Sequence, residues 1–354
     1  MKILDRYLAG AVIAGTLVTI GILLPLLDFF LLADEMDEVG RSGYRFADAA
    51  LVVALTLPRY VYQVFPVATL IGALVGLGSL ASRSELVAMR AAGVSIGRIV
   101  YAAIKGGTLL ALVALAVGEG VAPIAEQKAL QWRSEAQSGR VTLKTDYGLW
   151  ARDGNAYINI QKILSGAYLR GIQIYEFDEA QRLIRTTNAQ HARYIKGAWV
   201  LEGISRSLIR ADRVETSRVD RASWSSLLDP ALLQIIVVEP QMLPVWGLLR
   251  YVRYMEANSQ DARPYKVALW GKVIHPFLIL AMIFLAIPIL LGSAHTSGLG
   301  PRIFMGVLVG IAFYLISRTF SYFALLYDMS PLVSTLIPPI LFLSAAFWVL
   351  RRVG

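Results

Sequence analysis

The chain contains no cysteine. That absence removes disulfides, thiolate nucleophiles and cysteine-ligated zinc together, and the fold must stand without staples. Histidine is nearly as scarce. His191, His275 and His295 are the only three; they are far apart in the chain and no H-E-x-x-H pairs them, so no metal centre is expected. The phosphate-cradling G-x-x-x-x-G-K-[ST] loop is also missing. The nearest Gly-Lys, Gly271-Lys272, runs into Val273 within an apolar stretch, which excludes nucleotide binding in a P-loop. One pentapeptide, GVSIG from Gly93 to Gly97, matches the nucleophile-elbow pattern around Ser95. That device needs a strand, a sharp turn and a helix on top of a sheet, whereas here the pentapeptide joins two apolar runs. Ser95 reads instead as the N-cap of the run that follows. No catalytic residue and no cofactor is expected, and any ATP the protein depends on must be hydrolysed by another subunit.

Charge is sparse too. Only 17% of residues are charged against 56% hydrophobic, the balance of a membrane chain. The net charge of +9 in such a chain reports topology or anionic lipid before it reports nucleic acid, and no nucleic-acid partner is expected.

What the chain has is six long apolar runs: Leu8 to Leu32, Leu51 to Leu80 through Pro58 and Pro66, Ile99 to Val117, Val267 to Leu291, Ile303 to Phe323 and Leu332 to Leu350. Each approaches or exceeds the roughly 20 residues that cross a bilayer as a helix. The first is too long for a signal-peptide core and lacks a small-x-small cleavage site, so it reads as an uncleaved span. The predicted organisation is spans one to three over residues 1–120, a polar block over 121–263 and spans four to six over 264–354. If the spans alternate, Lys2, Arg6, Arg83, Arg90, Arg98, Arg302, Arg351 and Arg352 share one side, while the first opposite loop reads ADEMDEVGRSGYRFAD. Both termini are therefore expected in the cytoplasm and the polar block outside it.

Within the block, Asp153-Gly154 separates two β-rich runs, and further short runs break at Asp178 to Gln181 and at Lys196-Gly197. No run is long enough for a crossover helix, so an antiparallel sandwich or open roll is expected. LPVWGLLRYVRYME, from Leu243 to Glu256, then has apolar residues at helical spacing, with Trp246, Tyr251 and Tyr254 suited to a membrane interface. Gly72 and Gly76, and Gly306 and Gly310, are spaced for close helix contact.

Charges inside the spans need partners or water. With the topology above, Asp28, Arg59, Lys272, His275 and Arg318 all fall toward the outer leaflet. They read either as snorkelling side chains and an ion pair of Asp28 with Arg59 or Arg318, or as the wall of a polar cavity for an anionic amphiphile, which Arg133 would extend upward. On the inner side, ASRSELVAMRAAGVSIGR interrupts the grease from Ala81 to Arg98. Ser82 and Glu85 read as a capping box opening a short helix that Gly93 closes, with Leu86, Met89, Arg90 and Val94 forming a small apolar face with charged margins.

Several segments resemble one family: LDRY at Leu4 to Tyr7, LGSLASRSELVAMRAAGVS at Leu77 to Ser95, GEGVAPIAEQKALQWR at Gly118 to Arg133, and YGLWARDG at Tyr147 to Gly154. They resemble the lipopolysaccharide-export permeases, the LptF/LptG family, on its LptG side, and the likeness covers the whole chain in order. The resemblance implies a membrane α-helical fold of six transmembrane helices with an inserted all-β periplasmic jellyroll-like domain. It implies a non-catalytic half of an ABC transporter in the bacterial inner membrane, partnered by an LptF-like permease, an LptB-like ATPase dimer and an LptC-like single-span protein. The cargo would be lipopolysaccharide, passed to a periplasmic bridge toward the outer membrane. The stretch from about 82 to 94 would be the coupling helix in the ATPase groove, with Ser84, Glu85, Leu86, Met89, Arg90, Gly93 and Val94 carrying the contact. Spans one and five would be lateral gates, in keeping with Asp28 and Arg318, and Arg59 and Arg133 would meet the lipid phosphates, with Lys272 on the same path. Where relatives carry lysines near the end of span one, this chain has LLADEMDEVG, so phosphate contacts there do not carry over. The alternatives are a permease for another anionic lipid or a lipoprotein, or a membrane-anchored periplasmic scaffold or receptor.

Overall fold

The computed structural model describes residues 2–40, 43–138, 142–143, 149–164, 168–178, 180–195, 198–210, 212–224, 240–292 and 298–353. The chain forms two compact units, one of Met1–Asp37, Ala50–Ala129 and Arg263–Gly354, the other of Glu38–Ala49 and Leu130–Ala262.

The helical elements of the first unit are α1 (Lys2–Met36), α2 (Phe46–Ser82), α3 (Glu85–Ala91), α4 (Ile96–Ala116), a π-helical turn (Val117–Val121) and α5 (Ala122–Ser138). After the second unit's α6 (Val245–Ala257) come α7 (Arg263–Gly292), α8 (Gly300–Leu326) and α9 (Pro331–Val353). Six helices, Ile3–Met36, Phe46–Ser82, Ile96–Arg133, Arg263–Leu291, Gly300–Leu326 and Pro331–Arg352, are long and apolar enough to cross a membrane. They outrun the apolar stretches because hydropathy stops before helix propensity does. The third continues past Val117 through APIAEQKALQWR, a run rich in good helix formers.

Packing in this unit is backbone on backbone where glycine allows it. A Cβ on Gly76 would lie 2.0 Å from the Ala11 carbonyl oxygen, and one on Gly72 would lie 2.3 Å from the Thr16 Cα, so α1 presses on α2 as closely as the chain permits. Gly306 and Gly310 receive Leu74 and Val67 on another side of α2. Around these contacts Leu8, Val12, Leu70, Leu74, Leu77, Ala102, Ala103, Ile279, Met282 and Ile283 form a dry core. The polar hydroxyls within it are satisfied locally: Thr16 donates to the Val12 carbonyl and Thr19 to that of Gly15. Leu17, Val18, Ile22, Leu26, Phe29 and Phe30 of α1, and Phe304, Leu308, Ile311 and Leu315 of α8, are exposed. Hydrocarbon is the solvent such a surface fits.

The jellyroll-like insert is one seven-stranded antiparallel sheet of β1 (Thr142–Leu143), β2 (Leu149–Asp153), β3 (Ala156–Leu164), β4 (Tyr168–Phe177), β5 (Leu183–Ile195), β6 (Ala198–Ile209) and β7 (Val214–Trp224). Strands β3 to β7 pair in sequence order, and β1 and β2 both pair with β3. Gly154 at φ +60° turns β2 into β3, where Asp153-Gly154 marks the break in the sequence. Between β4 and β5, Asp178 accepts the Arg182 backbone N–H at 2.8 Å and its Nε at 2.9 Å. That amide, and then the guanidinium, hold the Asp178 carboxyl below the ordinary range.

One row of the sheet breaks the alternation of inward and outward side chains. Gln161, Gly171, Gln190 and Gly203 lie across β3 to β6 between the ladder pairs Ile160–Ile172 and Lys162–Arg170, and between Ala189–Ile204 and His191–Glu202. Leu169 and Ile172 are both buried although they stand three apart, as are Ala189 and Ala192, and Leu201 and Ile204. A regular strand would put each such pair on opposite faces. Gly171 and Gly203 absorb the change at φ +66° and +65°, with the Gln161 and Gln190 side chains lying against them.

Helix α6 packs on this unit rather than facing a membrane with its tyrosines. Tyr254 donates to the Arg152 carbonyl at 2.8 Å, Asn258 accepts the Gly154 N–H at 3.0 Å, and Tyr251 is buried beside Tyr254. Burial and the neighbouring Asp153 push the Tyr254 hydroxyl up to about 12, so it remains a donor at any physiological pH. Of the three aromatics expected at an interface, Trp246 alone is exposed; the other two are buried, stacked on each other, with Tyr254 bonded to the end of β2.

Gly171→Ala forces an L-residue into the left-handed region and should cost the β unit about 1–2 kcal/mol. Hydrogen exchange on the purified chain is expected to show faster exchange on β3 to β5 and unchanged exchange in α7.

Candidate functional site

Polar side chains gather at two places in the helical unit, and the first is the short helix between α2 and α4. Helix α2 runs through Ser82, whose hydroxyl donates back to the Gly78 carbonyl at 2.9 Å. The expected capping box is therefore absent. Ser82 belongs to the preceding helix, Ser84 turns the chain at φ +59°, and α3 begins at Glu85 without a side-chain cap. Its other end follows the sequence closely. Gly93 at φ +89° donates to the Arg90 carbonyl and Val94 to that of Met89, both at 3.0 Å, which is a Schellman closure. Ser95 then caps α4, accepting the Arg98 N–H at 3.3 Å.

Leu86 is 6% exposed and belongs to the transmembrane core, and Met89 and Val94 lie half-buried against the same core. These three are the anchor of the segment. The outward side carries Ser84, Val87, Ala88, Arg90, Ala91 and Gly93, with Val87 65% exposed. Val87 went unnoticed in the sequence, although an aliphatic residue on the face opposite Leu86 was a visible signal.

The N-terminal turn of α1 reaches this segment. The Tyr7 hydroxyl donates to Glu85 Oε2 at 2.7 Å. Asp5, 6% exposed, takes Arg98 Nε at 2.9 Å on one carboxylate oxygen and Lys105 Nζ at 3.0 Å on the other. Lys105, an isolated cation in the apolar sequence of α4, thus has its counter-ion 100 residues away. Such a partner is invisible to local patterns.

The second place lies inside the bundle around the π-helical turn. Lys272 on α7 is buried and its Nζ sits 2.8 Å from Glu119 Oε1 and 3.4 Å from the Gly118 carbonyl. Gly118 meets the Tyr62 ring, which stacks on His275 at 3.8 Å between centroids and lies 5.4 Å from the Lys272 ammonium. The Tyr62 hydroxyl and both His275 nitrogens find no hydrogen-bond partner among the described residues. Arg59, one turn before Tyr62, places Nε 3.3 Å from Glu126 Oε2 and donates to the Tyr60 hydroxyl at 2.8 Å. Glu119, Glu126 and Tyr62 are the members missed in the sequence. The two acids stand in GEGVAPIAEQ, beyond Val117, the nominal end of span three.

The remaining candidates stand apart from this network. Asp28 on α1 has one buried carboxylate oxygen without a hydrogen bond among the described residues, and Arg59, an expected partner, is engaged by Glu126. Arg318, the other, is exposed with its guanidinium over the Tyr322 ring at 5.1 Å. Arg133 lies on α5 within the β-bearing unit. Among the described residues no group of three or more His, Asp or Glu is placed to hold a metal. The network brings no nucleophile to a base. What it holds are two cations, Arg59 and Lys272, each against a carboxylate.

Comparison with known proteins gives this geometry a context. A family model described as lipopolysaccharide export system permease LptF/LptG matches residues 6–352. The lipopolysaccharide export system permease protein LptG of Escherichia coli K12 is 32% identical over 353 residues, covering 99% of this chain and 98% of its own length. Its namesake in Haemophilus influenzae is 31% identical over 351 residues, with coverage of 99% and 98%.

The Glu119–Lys272 pair is open to a direct test. Lys272→Met takes the ammonium away from a largely buried carboxylate and should cost about 3–5 kcal/mol, whereas adding Glu119→Gln removes that charge. Thermal unfolding in detergent is expected to show a large loss for the single variant and recovery of much of it in the double.

Proposed function

This chain belongs to the LptF/LptG family of lipopolysaccharide export system permeases, and on that premise we propose that it is the LptG-type, non-catalytic half of an ABC transporter. It draws lipopolysaccharide from the inner membrane and hands it to a periplasmic bridge toward the outer membrane. The observation that carries the reading is α3. A chain without a nucleotide-binding loop presents a seven-residue helix anchored by Leu86 in the core and offering Val87, Ala88, Arg90 and Ala91 outward. A passive anchor has no use for such a knob; a machine driven by a separate ATPase needs one.

In this reading α3 seats in the groove of an LptB-like ATPase dimer, and Ser84, Glu85, Arg90 and Gly93 border the contact while Leu86, Met89 and Val94 fix its seat. The basic residues of the short loops put α3 and both termini in the cytoplasm and the β unit in the periplasm. Residues 1–120 and 264–354 form the membrane part and 121–263 the periplasmic part. An LptF-like permease completes the pair and an LptC-like single-span protein joins it. Helices α1 and α8, whose apolar faces are largely exposed, line the lateral gates near Asp28 and Arg318.

The lipid path runs by Arg59 and Lys272, and Arg133 is a further contact for the lipid phosphates. The carboxylates of Glu126 and Glu119 hold these two cations when no lipid is bound, and a lipid phosphate takes their place as the cavity opens. Motion follows the ATPase cycle as a population shift between open and collapsed states.

Two experiments test the reading. Expressed with its genomic neighbours, the tagged chain should bring down a nucleotide-binding subunit, and Val87→Asp should abolish that association without lowering the chain's own stability. Arg59→Glu combined with Arg133→Glu should weaken crosslinking of lipopolysaccharide to the intact complex; unchanged crosslinking would discard the cationic path.

A further inference from the structure

Two contacts at the beginning of α1 point to a role for Asp5 and Tyr7 that the family resemblance does not assign. Helix α3 is flanked by backbone pivots, Ser84 at φ +59° and Gly93 at φ +89°, so it is not a stiff extension of α2 or α4. On its entry side Glu85, its first residue, accepts the Tyr7 hydroxyl. On its exit side Arg98, in the first turn of α4, grips Asp5 through Nε and a terminal nitrogen, both at 2.9 Å, while Lys105 takes the other carboxylate oxygen. Asp5 and Tyr7 are two residues apart, about 200° around a helix, so the two contacts leave α1 in different directions. The Asp5 carboxylate is nearly inaccessible, while its partners Arg98 and Lys105 stay partly exposed. The far face of α1 is open among the described residues: Leu17, Val18, Ile22, Leu26, Phe29 and Phe30 are all exposed.

We propose that Asp5 and Tyr7 are positioning residues that fasten the cytoplasmic end of α1 to the coupling segment on both sides of its Gly93 pivot, Tyr7 to α3 and Asp5 to the start of α4. A displacement of α3 is then delivered directly to α1 instead of passing through the tightly packed α2. This rests on the reading of α3 as the ATPase contact. It adds that α1 is the first transmembrane element to move, and that Glu85 has a partner within its own chain as well as in the ATPase.

The test uses the complete complex with its ATPase in vesicles, measuring ATP hydrolysis and lipopolysaccharide extraction in the same preparation. Tyr7→Phe removes one hydrogen bond from a half-exposed side chain and should not disturb folding. Combined with Asp5→Asn it should leave hydrolysis near its normal rate while lipid extracted per ATP falls by about fivefold or more, the lower range of a real coupling. Asp5→Glu should restore part of the ratio. An unchanged ratio in Tyr7→Phe and in the double variant overturns the inference, since a purely structural role would lower both activities together.

The absence of native cysteine gives a second, background-free measurement. Tyr7→Cys combined with Glu85→Cys removes the hydrogen bond and should extract less lipid per ATP, and joining the two by a bifunctional thiol reagent should restore part of that ratio. No restoration on joining, with the ATPase still bound, also overturns it. Val87→Asp separates the two levels. If it leaves the ATPase bound, the docking reading itself fails; if it releases the ATPase while the Tyr7 and Asp5 variants stay fully coupled, only the present inference fails.

Discussion

A charge in hydrocarbon must be answered by an opposite charge or by water, and the helical unit is arranged around that constraint. Lys105 reaches back to Asp5, Lys272 reaches across to Glu119, and Arg59 meets Glu126. Each pair joins helices that are distant in sequence, so the same contacts that neutralise charge also decide which helices are neighbours. Burying such pairs contributes little net stability compared with apolar packing. Their value is specificity: a helix bundle held by leucine alone could slide, whereas one with three mismatched charges to satisfy has few acceptable arrangements.

The sequence shows the six spans, the polar insert, the glycine contacts of α2 and the end of α3 at Gly93, because each rests on a local pattern: unbroken hydropathy, a spacing of four, or a residue that tolerates positive φ. Less of the site was legible. The cations Arg59 and Lys272 stand out against apolar neighbours, but their carboxylates lie in GEGVAPIAEQ, where acids look like ordinary interfacial polarity. Only the continuation of the third helix through its π-turn brings them to the right depth. The capping box failed for a related reason. SRSE satisfies the local rule, yet α2 had already extended over Ser82 and taken its hydroxyl for the Gly78 carbonyl.

The β unit obeys a different economy. From β2 to β7 its strands pair in sequence order, so that part of its topology needs no long-range information. Its shape does, because the row from Gln161 to Gly203 keeps a single face inward on both sides of a change in backbone conformation. The two glycines make that possible, while Trp199, fully buried, fills the space behind. Helix α6 closes one end through Tyr254 and Asn258.

The π-turn at Val117–Val121 has a further consequence. Widening one turn by a residue sets back the phase of everything after it by about 100° relative to an unbroken α-helix of the same sequence. The angle at which Glu126 leaves the helix axis is therefore stored in the winding of that turn. Were Val117–Val121 to regularise into ordinary α-helix, the same residues would rotate by one position and point the carboxylate away from Arg59. Five residues of backbone thus act as the dial that sets which side chains of the following helix face the polar layer.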